Sequence, residues 1–326
     1  MFTILGWIII KISKWHLKII RLSVIFVVIT SFSFCNTSNP VKNRGEQHKF
    51  LSSDISDSSI VSGPDSIKND MIRQIHTSGS FPYDLDNPDI KYPLPDYLKE
   101  ISGLAYYKEE MILCVQDEKA DIYVLNSNKN EIAFKYNFGK KGDYEDIAVI
   151  GQTAYVLRSD GHIFEVENFS TDDRKVTDHN TPLSAKNDTE GLTYDKTSNS
   201  LLIACKGSPS IEKENPYKGH KAIYQFDLME MKLHKKPQLI RTETSYEPSG
   251  LAIHPVFDEI YLISGTGKVL IIMDRQGKVL AVHHFNSKIF RQPEGICFSP
   301  SGDLFISNEG RGGKANILRF NLRRNE

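Results

Sequence analysis

The sequence predicts an all-β fold, a five-bladed β-propeller, on three observations. One short phrase recurs five times, each copy runs into a series of short apolar strands, and most copies lie about 45 residues apart. The phrase reads Ile101-Ser102-Gly103-Leu104-Ala105, then Tyr144-Glu145-Asp146-Ile147-Ala148 and Thr189-Glu190-Gly191-Leu192-Thr193. Pro248-Ser249-Gly250-Leu251-Ala252 and Pro293-Glu294-Gly295-Ile296-Cys297 complete the set. Its second members stand at 102, 145, 190, 249 and 294, giving intervals of 43, 45, 59 and 45 residues. Four strands per unit of this length is the period of a propeller blade. A sixth blade would need a degenerate phrase; six blades stand as the alternative.

Composition agrees with a folded β-rich domain and narrows its partners. Of 326 residues, 40% are hydrophobic and 25% charged, the balance of a globular chain. Forty basic residues against 41 acidic leave a net charge of −1, so no nucleic-acid partner is expected. Four cysteines are too few for a disulfide scaffold.

Taken in chain order, residues 1–35 read as a signal. Lys11, Lys14, Lys18 and Arg21 precede a 13-residue apolar-rich run, Leu22 to Phe34, which ends at Cys35. Such a run rises only about 20 Å as a helix, short of the roughly 30 Å hydrocarbon core. A run ending at a lone cysteine and opening into polar Asn36-Thr37-Ser38-Asn39-Pro40 resembles a bacterial lipoprotein signal, with Cys35 as the lipidated mature N-terminus. A plain secretory signal and a signal anchor are the alternatives. Residues 36–78, rich in Ser, Asn, Asp and Lys, have too few large apolar groups to offset the entropy of ordering and are expected to be a flexible linker. Residues 79–326 then form the propeller.

Within each unit a turn follows the phrase strand, and a second apolar strand follows the turn. These second strands are Met111–Val115, Ala154–Leu157, Leu201–Cys205, Ile260–Ser264 and Leu304–Ser307. Alternating third strands come next, for example Ile122 to Leu125 and Ile163 to Val166. Fourth strands are clearest in Ala133–Phe138 and Val279–Phe285. The long interval holds an insert, Ser208 to Lys221, that reads as a surface loop. The last unit lacks a fourth strand, and an open edge invites aggregation. Phe81-Pro82-Tyr83-Asp84-Leu85 is predicted to supply it and so close the ring.

As a set, the phrases resemble the SdiA-regulated family of bacterial envelope β-propellers. The matching text is Glu100 to Ala105, Gln116-Asp117-Glu118, Tyr144 to Ala148, Asp188 to Leu192, Glu247 to Ala252, and Pro293-Glu294-Gly295 with Ser307-Asn308-Glu309. The resemblance spans roughly residues 80–322. It implies a propeller that holds calcium, with distant kinship to phytase-like and esterase-like propellers, and it brings no substrate with it.

The residues themselves point to the same chemistry. Glu145, Glu190 and Glu294 hold equivalent places, so their carboxylates are expected to converge at one end of the channel. Carboxylates so placed repel by about 1–4 kcal/mol per pair. A hard divalent cation would relieve this, and Ca²⁺ takes oxygen ligands, with Asp146 beside Glu145 as a further candidate. Ion pairing with Arg158, Lys206 or Arg311, or a solvated ring, would relieve it as well. A second tier at the ends of the second strands forms a rim for a ligand: Asp117, Glu118, Arg158, Lys206, Asn308, Glu309 and Arg311. The chain has neither a Gly-x-Ser-x-Gly elbow nor a phosphate-binding glycine loop. The expected function is therefore an envelope-anchored, calcium-holding module that binds a small anionic ligand or an envelope protein. A calcium-dependent phosphoesterase or esterase-like hydrolase is the alternative, with the enzyme question open. The expected location is the bacterial cell envelope, through a lipid on Cys35, or the periplasm or exterior if the protein is simply secreted.

Overall fold

The structure, a computed structural model, describes residues 81–241 and 245–323. The expectations placed on residues 1–35, including lipidation of Cys35, and on the linker 36–78 lie outside the described residues. A lone strand, β1 (Ile90–Pro93), comes first, and a 3-10 turn at Asp96–Leu98 leads from it into the first blade. That blade is β2 (Ile101–Lys108), β3 (Met111–Gln116), β4 (Lys119–Asn126) and β5 (Glu131–Asn137). The second is β6 (Tyr144–Ile150), β7 (Thr153–Arg158), β8 (Ile163–Glu167) and β9 (Lys175–His179). The third is β10 (Thr189–Asp195), β11 (Ser200–Cys205) and β12 (Lys221–Asp227), with its outer edge shared by β13 (Lys232–Leu233) and β14 (Gln238–Ile240). The fourth is β15 (Gly250–Ile253), β16 (Ile260–Ser264), β17 (Val269–Met273) and β18 (Val279–His284). The fifth is β19 (Pro293–Phe298), β20 (Leu304–Asn308) and β21 (Asn316–Phe320), completed by β1.

Among the described residues the strands form five antiparallel sheets, an all-β propeller of five blades. The innermost strands β2, β6, β10, β15 and β19 touch in that order, and β19 returns to β2, so the ring is closed. Every blade is buried on both faces, which explains the near-continuous apolar text of the second strands. On β20, Leu304 and Ile306 pack toward the fourth blade with Tyr261 and Leu270, while Phe305 packs toward the first with Leu104 and Cys114. The same division repeats around the ring, so each pair of neighbouring blades encloses one apolar layer. Cys114, Cys205 and Cys297 are buried free thiols in these layers.

Closure by an N-terminal strand holds, but the segment is not the expected one. β1 pairs with β21 through Ile90 with Arg319 and Tyr92 with Ile317; Phe81–Leu85 does not pair as a strand. The reason lies in the residues. Pro82 removes a ladder donor, and Asp84 nucleates a turn, accepting from the Asn87 backbone at 3.1 Å and from its side chain at 3.0 Å. Phe81 and Tyr83 instead seal the layer between the fourth and fifth blades. The Phe81 ring stacks on His283 at 3.9 Å, and the Tyr83 hydroxyl reaches His254 Nε2 at 2.7 Å. The 208–221 insert is, as expected, largely a loop, running between β11 and β12.

Candidate functional site

The recurring phrase builds one end of the channel through a repeated irregularity. Along β2 the partners of β3 skip from Ile101 to Gly103, leaving Ser102 as the extra residue. The same skip leaves out Glu145 in β6, Glu190 in β10 and Glu294 with Gly295 in β19. A β-bulge bends its strand and re-aims the side chain of the extra residue. Four innermost strands thus enter the ring with a bulge at the phrase position. In the remaining blade the Ser249 N–H bonds to Ile263 O at 2.9 Å just ahead of β15.

Three of these positions carry carboxylates. Burial first, and then the charges of Glu190, Asp143 and Glu294, push the Glu145 carboxyl up to about 10. Burial, Glu190 and Glu309 push Glu294 up to about 8, although Gln292 donates a hydrogen bond to its Oε1. Burial likewise pushes Glu190 up to about 7, held there by the Lys206 ammonium, whose Nζ lies 2.7 Å from Glu190 Oε1. Burial opposes the charge on Lys206, yet Glu190, Asp188 and Glu294 together raise its pKa above the usual lysine range. The charges of Glu190 and Glu294 thus act on Glu145, and that of Glu190 acts on Glu294.

The two serines at the same place do something else. Ser102 Oγ donates to Tyr144 O at 2.7 Å, and Ser249 Oγ donates to Pro293 O at 2.9 Å. Each hydroxyl thus ties its blade to the carbonyl just before the next blade's glutamate.

Asp146, considered as a further cation ligand, is engaged elsewhere. Its side chain is fully buried, Oδ1 accepts from its neighbour Ile147 N at 2.8 Å, and Oδ2 accepts from Leu192 N in the third blade at 2.7 Å. The Leu104 amide of the first blade also bonds to it. Asp146 is a bolt across three innermost strands. Gly103 permits it: a Cβ there would sit 2.5 Å from Asp146 Cα.

The rim divides into engaged and open groups. Arg158 grips Asp160 with two hydrogen bonds of 2.8 and 2.9 Å and lies over the Phe164 ring. Arg311 lies 3.3 Å from Glu309, so it and Arg158 pair with rim neighbours and Lys206 alone of the three meets the converging glutamates. Asp117 is pushed up to about 6 by burial and by Glu100, Glu309, Glu118 and Asp143. Its Oδ1 is buried and accepts no hydrogen bond, and the same is true of Asn308 Oδ1, whose amide nitrogen donates to Asn316. The Glu118 backbone amide is held by Gln116 Oε1 at 2.7 Å.

Sequence reasoning missed three participants. Asp143 adds charge to Glu145, Glu190 and Asp117 and accepts from Ser159 Oγ at 2.7 Å. Gln292 supports Glu294. Lys268, in the turn before β17, is lowered by burial while the Glu294 charge acts to raise it. Asp143 and Gln292 stand two residues before a phrase glutamate, a signal that was legible; Lys268 carries none.

The donor set suits a hard cation in kind: carboxylates held above their ordinary range, with two buried oxygens left without a donor. Among the described residues, however, no group of three or more His, Cys, Asp or Glu side chains is placed to hold a metal ion. The other ends of the innermost strands surround a cavity of about 350 Å³, lined by apolar residues such as Leu104 and Leu192 together with Tyr106, Tyr107, Tyr194 and Ser299.

A closed ring of five antiparallel sheets, each entered by an innermost strand, defines a five-bladed β-propeller. The SdiA-regulated family matches residues 83–311, and the chain belongs to that family. No curated relative matches it. Among solved structures it is similar to a glutaminyl cyclase from Myxococcus xanthus, at 14% identity, TM-score 0.54, covering 74% of this chain and 97% of that one. A streptogramin B lyase matches at 9% identity and TM-score 0.47, covering 71% and 97% respectively. The PQQ-bound aldose sugar dehydrogenase from Streptomyces coelicolor matches at 11% identity and TM-score 0.47, covering 72% and 97%. At 14% identity the likeness to the glutaminyl cyclase is one of fold.

Proposed function

We propose that this protein is a binding module of the bacterial cell envelope whose acidic mouth takes a divalent cation, calcium by its chemistry, and with it a small anionic ligand. One observation carries the reading: bulges in three innermost strands set Glu145, Glu190 and Glu294 at equivalent points of three blades, where burial raises all three carboxyls above the ordinary glutamate range. Buried like charges of this kind are relieved by a proton, an internal ammonium or a cation. No three carboxylates among the described residues already stand as a metal-holding group, so Glu145, Glu190 and Glu294 would have to close on the ion as it binds. When bound, the ion supplies positive charge toward which an anion is drawn. The lipid anchor at Cys35 rests on the basic, apolar and cysteine succession of residues 1–35.

The experiment is calcium titration of the full chain by calorimetry, beside its melting temperature with calcium and with chelator. Wild type is expected to bind and to melt higher with calcium. The double variant Glu190→Gln/Glu294→Gln is expected to do neither. Equal melting temperatures with calcium and chelator in wild type would overturn the reading. For the anchor, radiolabelled palmitate is expected to mark wild type in bacterial cells and not Cys35→Ser.

A hydrolase is the second reading, favoured by the unlike partners of two carboxyls: Glu190 is paired with the Lys206 ammonium at 2.7 Å, and Glu145 is hydrogen-bonded to no ammonium among the described residues. Two carboxyls in such different surroundings can serve as acid and base. A panel of phosphate and carboxylate esters, assayed with calcium and with chelator, decides between the readings. Turnover that requires both calcium and Glu145 supports the hydrolase, and binding without turnover supports the module.

A further inference from the structure

The cavity at the far ends of the innermost strands plays no part in the reading of the mouth. Leu104, Ile147 and Leu192 line it, and their backbone amides are the ones that meet on Asp146, so the cavity begins beside that bolt. Ala105, Ala148 and Ala252, next along their strands, line it with small side chains. None of its lining residues is charged, so an ion there would lose its water with nothing to replace it. Two further cavities, of about 350 and 370 Å³, adjoin it. The first shares Tyr106, Tyr107 and Val149 with the channel cavity, and the second shares Tyr107 and Lys108 with the first. Among the residues lining all three, Lys108 alone carries a charge. Its ammonium lies 4.9 Å from the centre of the Tyr107 ring and has no carboxylate partner among the described residues. Glu109 and Glu110, next in the chain, line none of the three, and Glu110 is paired with Arg319 at 3.1 Å. Tyr107 is a fixed wall between the spaces: its hydroxyl donates to Gln152 Oε1 at 2.7 Å, and its ring meets Phe169 edge-on at 5.2 Å.

We propose that this end of the channel binds a single-chain alkyl carboxylate, with the chain in the cavity and the carboxylate on Lys108. This is a second site, independent of the acidic mouth. Charge selects the class. An uncharged molecule would fill the apolar space and leave Lys108 without a partner. A dianion such as a phosphate ester would bring a second charge that no other lining residue meets. Dimensions select the chain. From Leu104 to Lys108 the strand β2 advances four residues, about 13 Å at ~3.3 Å each. An extended chain of about ten carbons, advancing ~1.3 Å per bond of ~1.5 Å, spans that distance. An apolar cavity of about 150 Å³ holds one benzene, so about 350 Å³ has room for one such chain and not for two.

The test is calorimetry on the full chain at pH 8 in chelator, with sodium decanoate, decanol and sodium hexanoate as probes. Wild type is compared with Lys108→Met, which keeps much of the stem and removes the charge. A second variant, Thr193→Phe, fills the cavity from a half-buried position on β10. Wild type is expected to bind decanoate, and hexanoate more weakly by about a hundredfold, since each buried CH₂ is worth roughly fourfold. Decanol should bind about fivefold more weakly than decanoate, the worth of one exposed ion pair. Lys108→Met is expected to lose that same factor for decanoate and to bind decanol as wild type does; a damaged fold would weaken both. Thr193→Phe is expected to lose both ligands at an unchanged melting temperature, and if it melts lower, the chain-length dependence in wild type decides in its place. Failure of wild type to bind decanoate overturns the site. Equal affinity for decanoate and hexanoate, or undiminished binding in Thr193→Phe, overturns burial of the chain. Equal affinity for decanoate and decanol, or for decanoate in wild type and Lys108→Met, overturns the carboxylate contact. Because chelator removes any divalent ion, the result stands apart from that of calcium titration at the mouth.

Discussion

At the scale of single residues, the side chain that matters most to the ring is Asp146. Three backbone amides, from Leu104, Ile147 and Leu192, converge on one carboxylate with no exposure. Burial pushes that carboxyl well above its ordinary range, against the three N–H groups that pull it down. Whatever its charge, its removal would leave buried donors without acceptors, at about 1–3 kcal/mol each. Asp146→Ala is therefore expected to lower unfolding stability by roughly 3 kcal/mol or more in urea titration. Asp146→Asn, which keeps one acceptor oxygen, should lose less. Calcium binding should survive in the folded Asn variant, and its loss there would return Asp146 to the mouth. The sequence showed an acidic residue beside Glu145 but could not distinguish ligand from bolt, because adjacent residues in a bulged strand reach different surroundings. Glu145, Glu190 and Glu294 were legible because the repeat superimposes them. Lys268 was not, because it belongs to no repeated phrase and reaches the mouth only through the turn before β17.

At the scale of elements, the instructive one is β1. Ile90-Lys91-Tyr92-Pro93 is bracketed by Pro88 and Pro95 and reads as loop text, yet it completes the fifth blade. A fourth strand there needs few local signals, since β21 already supplies a template of unpaired groups. Phe81–Leu85 precedes the first phrase much as Phe134–Phe138 precedes the second, but its aromatics serve a different task, covering the layer between the fourth and fifth blades. Apolar content thus showed that both segments are tied down and did not show which pairs. The second strands, buried on both faces, were legible almost to the residue, whereas the outer β9, β13 and β14 were not, since β9 is mostly exposed and β13 and β14 are only two and three residues long. Replacing residues 90–93 by Gly-Ser-Gly-Ser should remove the Tyr92 side chain from the layer it shares with Leu94 and Ile317. It should also expose the β21 edge. The expected outcome is a melting temperature lower by at least several degrees and concentration-dependent association in light scattering. A variant as stable and monomeric as wild type would show that Phe81 and Tyr83 suffice for closure.

At the scale of the whole molecule, the acidic mouth makes stability depend on pH in a direction that can be worked out. The folded values of Glu190, Glu294 and Glu145 are raised from 4.5 to about 7, 8 and 10. The unfolded chain therefore releases these protons first. Their contribution is fully present below about pH 4.5 and is lost as pH rises through the folded values. Elsewhere the sign is opposite. Burial alone would raise Asp121, Asp160 and Asp195, but hydrogen bonds from Asn137, Arg158 and Ser198 prevail and hold them below the ordinary 3.8. Those groups stabilise the fold above that value and cease to do so in acid. Without divalent cations the stability maximum should thus fall near pH 5, with a decline toward pH 9. Each kcal/mol lost over that span corresponds to roughly 2–4 °C for a domain of this size. Scanning calorimetry from pH 4 to 9 in chelator is expected to show the decline, and Glu145→Gln, which cannot ionise, should flatten its upper part. Calcium should flatten it in wild type as well, because an ion favours the deprotonated mouth and adds its own binding energy to the folded state. A profile that rises steadily from pH 5 to 9 in chelator would mean that the three carboxylates ionise freely in the folded protein, and that the mouth stores no charge for a cation to relieve.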